Sequence, residues 1–194
     1  MNLLRRLYDW TLKKSEHRNA PWFLSIISFS ESSFFPIPPD IILIPMIIAK
    51  RSKAWFYAFI CTISSVIGGA FGYLIGYFFY NSIGMLILKY YSLEIQFTNF
   101  ENSYNDYGFW IVLGAGFTPF PFKLITIASG LFGLNFVLFI FVAFFARGLR
   151  FFILAGLLKL FGNYIKNIID KYFNILAIIF FILLFGGFIL IKYL

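Results

Sequence analysis

Apolar residues run in long blocks through this chain, and two of the blocks are broken near their centres by proline. Residues 22–49 contain Phe35-Pro36-Ile37-Pro38-Pro39-Asp40, and residues 108–134 contain Thr118-Pro119-Phe120-Pro121-Phe122-Lys123. Both breaks read Pro-x-Pro-x-charge; one closes on an acid and the other on a base. Proline removes a backbone donor and clashes with the preceding turn. Hydrocarbon cannot satisfy the groups this frees, so non-helical backbone at membrane depth persists only against protein or a water-filled cavity. The matched breaks therefore predict two re-entrant helical hairpins around a central polar site. The unbroken blocks 54–80 and 135–160 predict transmembrane helices. Residues 173–191, nineteen uncharged and almost wholly apolar positions in a row, predict a third, being about one bilayer thick at ~1.5 Å per residue. Residues 3–18 set Leu3, Leu4, Leu7, Tyr8 and Trp10 among five bases, the pattern of an amphipathic helix on the membrane surface. Residues 81–107 mix Leu, Tyr and Phe with acids and predict a partly helical interfacial connector.

Composition agrees with this pattern. The 194 residues are 61% hydrophobic and 12% charged, against about 25% charged in soluble domains, which predicts one all-α integral membrane domain over residues 1–194. The net charge of +8 does not point to nucleic acid, because the bases fall between apolar blocks, where they orient the chain and attract anionic lipid. Bases flank both ends of 22–49, so by the positive-inside rule both ends face the cytoplasm. The connector 81–107 has one base, Lys89, against Glu94, Glu101 and Asp106, and belongs outside. The second hairpin then enters from outside, 135–160 returns inward, and the N-terminus is cytoplasmic. Eleven Lys/Arg fall in the inner segments and two in the outer ones. A rival arrangement makes 124–146 a single span that ends at a cytoplasmic Arg147–Arg150 turn.

Five charges lie in or beside apolar segments: Glu31, Asp40, Lys123, Arg147 and Arg150. Each costs roughly 2.5–3.5 kcal/mol at a helix centre on insertion scales, so they are expected to pair. Arg147 and Arg150 are three apart and share a helix face, which is expected to meet Glu31 or Asp40. Lys123 and the arginines are candidate phosphate ligands, since the planar guanidinium suits phosphate. Glu31 and Asp40 are candidates for ion pairing or proton uptake. The structural alternatives are buried ion pairs that only hold the hairpins, a plain helix cap at Asp40, and arginines snorkelling to the inner interface. Pro36, Pro38, Pro39, Pro119 and Pro121 make the breaks, and Ser64, Gly68, Gly72 and Gly76, four apart, predict a smooth face for close helix packing in lipid. Cys61 and Tyr73 read as packing, and His17 as a surface residue. One histidine and one cysteine leave no metal-ligand set, no Ser-His-Asp arrangement is present, and no phosphate-cradling glycine loop occurs. Neither an enzyme nor a cofactor is expected.

Four motifs in order, Glu31-Ser-Ser-Phe-Phe-Pro-Ile-Pro-Pro-Asp40, Gly68-Gly-x-x-Gly72-Tyr73-x-x-Gly76, Phe117-Thr-Pro-Phe-Pro-Phe-Lys123 and Arg147-Gly-x-Arg150-Phe151, resemble the DedA family. That family is also called the SNARE-associated or VTT-domain family, and the likeness is to its YqaA-like branch. The resemblance covers about residues 25–155. It implies opposed re-entrant hairpins in the bacterial plasma membrane and ATP-independent movement, with or without proton coupling, of a phosphate-bearing lipid, a phospholipid or undecaprenyl phosphate, between leaflets. It also implies that Glu31 and Asp40 match the family's essential acids, and Arg147 and Arg150 its essential bases. Lys123 departs from the commoner pattern, which has an arginine-containing stretch there.

The reading is thus a lipid scramblase or flippase whose partners are membrane lipids. A proton-coupled transporter of a small solute and a non-transporting scaffold are the alternatives, and nothing in the sequence sets the oligomeric state. Single cysteines at Ser52 and Asn105 are expected to label from opposite membrane faces; labelling of both from one face would overturn this topology.

Overall fold

The computed structural model describes residues 19–35, 38–91, 94–118, 120–162 and 164. The amphipathic segment 3–18, His17, the terminal span 173–191, Pro36 and Pro119 lie outside the described residues. Those described form helices joined by short turns, with no strand among them.

Helix α1, Ala20–Ser33, starts with a proline in its first turn, where the missing donor costs nothing. It ends two residues before Phe35, where two amides, Phe34 and Phe35, both bond the Ser30 carbonyl (2.9 and 2.7 Å). The residue before a proline is pushed out of the helical region, which is why the helix stops before Pro36. Helix α2, Asp40–Ala49, restarts with Asp40 in its first turn, where an acid complements the helix dipole. A short turn, Arg51–Lys53, leads to α3, Ala54–Phe79. This continues through a π-type turn, Tyr80–Gly84, into α4, Met85–Tyr90. Helix α5 spans Glu94–Phe117, α6 Phe122–Leu131 and α7 Phe136–Gly162.

Two helices are long and apolar enough to cross a membrane, Arg51–Gly84 and Phe136–Gly162. Their outer faces carry Phe56, Phe59, Ile67, Phe71 and Phe78 on one, and Phe141, Phe145, Leu149 and Leu157 on the other, all exposed. Apolar surface of that extent is tolerable against lipid.

The buried residues fall into two clusters. One joins Ala20 and Leu24 of α1, Leu43, Met46 and Ile47 of α2, Tyr57, Ala58 and Cys61 early in α3, and Phe151, Ala155 and Leu158 late in α7. The other joins Tyr73 late in α3, Tyr104, Val112 and Ala115 of α5, Phe122 at the start of α6, and Phe139, Val142 and Ala143 early in α7. Helices α3 and α7 therefore run antiparallel, with the first proline-broken pair packed at one end and the second at the other. The start of α1 and the end of α2 share one cluster, so the chain turns back at the first break.

The α3 glycines set how closely these layers approach. A Cβ at Gly68 would fall inside the Phe29 backbone of α1, and one at Gly72 would meet the Thr126 hydroxyl of α6 and the Ser32 carbonyl of α1. One at Gly76 would strike the Ile127 carbonyl of α6, and one at Gly130 the Tyr73 carbonyl of α3. One small-residue face thus receives both broken pairs, backbone against backbone, the contact that stabilises helices in lipid. Hydroxyls stitch the seam: Ser28 donates to the Cys61 carbonyl (2.8 Å) and Ser33 to the Gly68 carbonyl (2.9 Å).

Two expectations need adjusting. Helix α5 crosses the 107/108 boundary without interruption, because the first proline after the connector is Pro119. The rival in which 124–146 is one span is excluded, since α6 ends at Leu131 and the chain turns before Phe136, with Gly133 at φ 62°. A positive φ of that size favours glycine. Tyr73 packs as expected, edge-on to Phe136 at 5.1 Å, and also donates its hydroxyl to the Leu134 carbonyl at 2.6 Å, pinning this turn.

Gly76→Ala is expected to destabilise the folded protein by about 1–3 kcal/mol through overpacking. Gly114→Ala, where a Cβ meets nothing within 4 Å, should instead be neutral or stabilising by up to ~1 kcal/mol. Thermal unfolding in detergent separates the two, and equal shifts would refute the close-packed face.

Candidate functional site

The two breaks present complementary groups. Glu31 lies in the last turn of α1 and Asp40 opens α2, so an acid stands on each side of the first break. Thr118 stands just before the second break, and Phe122 and Lys123 open α6 just after it. Helix α7 passes both, carrying Arg147 and Arg150 one turn apart.

Arg150 touches both breaks at once. Its Nη2 pairs with Asp40 Oδ2, and its Nη1 donates to the Thr118 carbonyl at 2.6 Å. That carbonyl belongs to a helix end, where the last acceptors lack partners within the helix. The pair is partly open: the side chains are 17% and 18% exposed. Asp40 Oδ1 is buried and has no hydrogen-bond partner among the described residues.

Arg147 is closed in. Its Nη2 bonds Glu31 Oε2 at 2.6 Å and its Nε donates to Ser65 Oγ at 2.7 Å. The rings of Phe122 and Phe151 lie 5.0 and 4.7 Å from its guanidinium carbon. The side chain is 1% exposed, its partner Glu31 13%. Ser65 Oγ lies 2.7 Å from Ser32 Oγ, and Ser32 in turn donates to Glu31 Oε2 at 3.1 Å. The Thr126 hydroxyl reaches the Ser32 carbonyl (3.0 Å), tying α6 to α1. The ends of both breaks therefore meet in one polar layer between the two apolar clusters.

Residues 37–160 of the chain match the VTT domain. The chain belongs to the VTT-domain family. An uncharacterized protein of Haemophilus influenzae is 36% identical over 157 residues, which is 81% of each chain. An uncharacterized homologue from Histophilus somni is 35% identical over 157 residues, covering 81% of this chain and 82% of that one. No solved structure matches the chain. Family membership and the two long apolar helices agree that this is a membrane protein of the DedA type.

Within this VTT-domain protein the matched span includes Asp40, Lys123, Arg147 and Arg150, while Glu31 lies just before it. The structure brings Glu31, Asp40, Arg147 and Arg150 together as two ion pairs. Pro38, Pro39 and Pro121 sit where α2 and α6 begin. Lys123 is half-buried in the first turn of α6 and makes no ion pair among the described residues. Ser64 is half-buried, and its neighbour Ser65 is the fully buried hydroxyl that joins the layer. The sequence reading missed Ser32, Ser65, Thr126, Phe122, Phe151 and the Thr118 carbonyl. A signal for the first two exists in retrospect: Ser28 and Ser32 are four apart on α1, facing a serine and glycines at similar spacing on α3.

Removing one partner of a buried pair typically costs about 3–5 kcal/mol, so Arg147→Ala is expected to lower stability by that order. Arg150→Ala removes hydrogen bonds from a partly open pair and should cost less, ~1.5–3 kcal/mol. Chemical denaturation of both variants checks the order, and a reversed order would contradict the assignment of Arg147 as the closed-in residue.

Proposed function

We propose that this VTT-domain protein is an ATP-independent lipid translocator that moves a phosphate-bearing lipid, such as a phospholipid or undecaprenyl phosphate, between leaflets of the bacterial plasma membrane. The observation that carries the reading is Arg150, a partly exposed guanidinium that bonds the start of α2 and the end of α5 together. In the proposed topology the N-terminus is cytoplasmic and each proline-broken pair is a re-entrant hairpin, entering from opposite sides.

The two arginines divide the work. The Arg147 side chain is closed off from solvent, with its Nε and Nη2 bonded to Ser65 and Glu31 and aromatic rings close by, so it is poorly placed to receive a phosphate; it holds the hairpins to α7. Arg150 and Lys123, which makes no ion pair among the described residues, take the headgroup while the tail stays in lipid. A phosphate must compete with Asp40 for Arg150. Asp40 holds Arg150 through one oxygen, Oδ2, so a phosphate has a single contact on this carboxylate to displace. Charge-assisted bonds to phosphate are strong and bidentate with arginine, which suits a headgroup to displacing a carboxylate. The glycine face of α3 then lets the broken pairs shift against it.

The burial of Arg147 also favours a second reading, a scaffold in which both pairs only brace the fold. One experiment separates the two. Purified protein in liposomes, with labelled phospholipid or polyprenyl phosphate, is expected to speed transbilayer exchange of at least one. Arg150→Ala should reduce the rate about tenfold or more, the kinetic equivalent of losing a ~1.5–3 kcal/mol charged hydrogen bond, while the protein stays folded. Equal exchange of both lipids with and without protein would leave the scaffold.

A further inference from the structure

We propose that Ser65 and Ser32 are positioning residues: a two-hydroxyl relay of fixed polarity that aims Arg147 at Glu31 and thereby sets where Arg150 stands between the breaks. The inference rests on the lipid-translocator reading for its kinetic consequence and on the geometry alone for the relay itself.

Four side chains from three helices close a ring: Glu31 and Ser32 of α1, Ser65 of α3 and Arg147 of α7. The links are 2.6 Å from Arg147 Nη2 to Glu31 Oε2, 2.7 Å from Arg147 Nε to Ser65 Oγ, 2.7 Å between the two serine oxygens, and 3.1 Å from Ser32 Oγ to Glu31 Oε2. Both serines are fully buried, so water offers no substitute partner.

The polarity follows from donor counts. A guanidinium only donates, and a serine hydroxyl has one hydrogen. Arg147 Nε therefore makes Ser65 the acceptor. The Ser65 hydrogen must go to Ser32, and the Ser32 hydrogen to the Glu31 carboxylate. The chain begins on a cation and ends on an anion; turning the middle link round would spend the Ser32 hydrogen on Ser65 and leave the Ser32 oxygen facing the carboxylate with no hydrogen between them. Arg147 thus reaches Glu31 twice, once directly and once through two hydroxyls, which fixes the plane of its guanidinium. Arg150 is one turn further along the same helix face, so the azimuth of α7 set by Arg147 places Arg150 against Asp40 and the Thr118 carbonyl.

Ser65→Ala removes the acceptor and leaves a buried Nε–H unpaired, while Ser65→Thr keeps the hydroxyl. In the liposome assay Ser65→Ala is expected to slow exchange about tenfold, as for a buried donor left unsatisfied, and Ser65→Thr to recover most of the rate. In an Arg147→Lys background, which has no Nε, Ser65→Ala should cost no more than about twofold, the signature of coupled rather than independent sites. Equal loss in Ser65→Ala and Ser65→Thr, or an undiminished loss in the lysine background, would overturn the relay. Should the parent protein move neither lipid, the functional reading fails and the relay is judged by thermal unfolding in detergent. There, non-additive shifts of Ser65→Ala and Arg147→Lys support it and additive shifts overturn it. If Arg147→Lys does not fold, Ser32→Ala takes its place: the Ser65→Ala/Ser32→Ala double variant should be no worse than the worse single one, and summed losses would overturn the relay.

Discussion

A cation sealed inside an apolar bundle must find its counter-charge and every hydrogen-bond partner within the protein, and Arg147 imposes that requirement on this fold. An unpaired buried charge costs far more than packing recovers. Its partners come from different elements: Glu31 from α1, Ser65 from α3, Phe122 from the start of α6, and Phe151 from α7 itself. Satisfying one side chain thus brings together elements far apart in the chain. Rings beside a desolvated guanidinium add a cation–π attraction of about 2 kcal/mol or more.

The second constraint is distance. Lipid tails are as apolar as leucine, so burial alone does not hold helices together in a membrane, and close backbone contact has to. Gly68, Gly72 and Gly76 allow α3 to touch Phe29 and Ser32 on one side and Thr126 and Ile127 on the other. That closeness is what brings the short serine and threonine hydroxyls within reach of carbonyls on neighbouring helices. The proline breaks supply the complement, since they end α1 and start α2 and α6 at the depth where the arginines pass. Breaks, glycine face and arginine pair are three parts of one arrangement, and each explains the position of the others.

The two ion pairs are chemically alike and environmentally different. Arg147–Glu31 is enclosed and reinforced by hydroxyls, whereas Arg150–Asp40 is partly open and leaves one carboxylate oxygen without a partner among the described residues. A rigid pair beside a loosely satisfied one allows a site to respond to a ligand while the frame around it holds.

The sequence by itself determined the helical membrane class, the places where α1 and α5 stop, the glycine face and the five charges that matter. These rest on local chemistry: proline cannot continue a helix, glycine has no Cβ, and charge is costly among apolar residues. The family was also legible, because its motifs are short and contiguous. The sequence could not decide which acid each arginine takes, since Glu31 and Asp40 are both within one break of α7. It did not reveal Ser65 and Ser32 either, because a serine in an apolar helix looks the same whether it bonds its own backbone or a distant guanidinium. Nor did it separate Arg147 from Arg150, three residues apart on one helix face. Only the packing of α1, α3 and α6 around α7 buries the first and leaves the second in reach of solvent, because burial is a property of neighbours brought together by the fold.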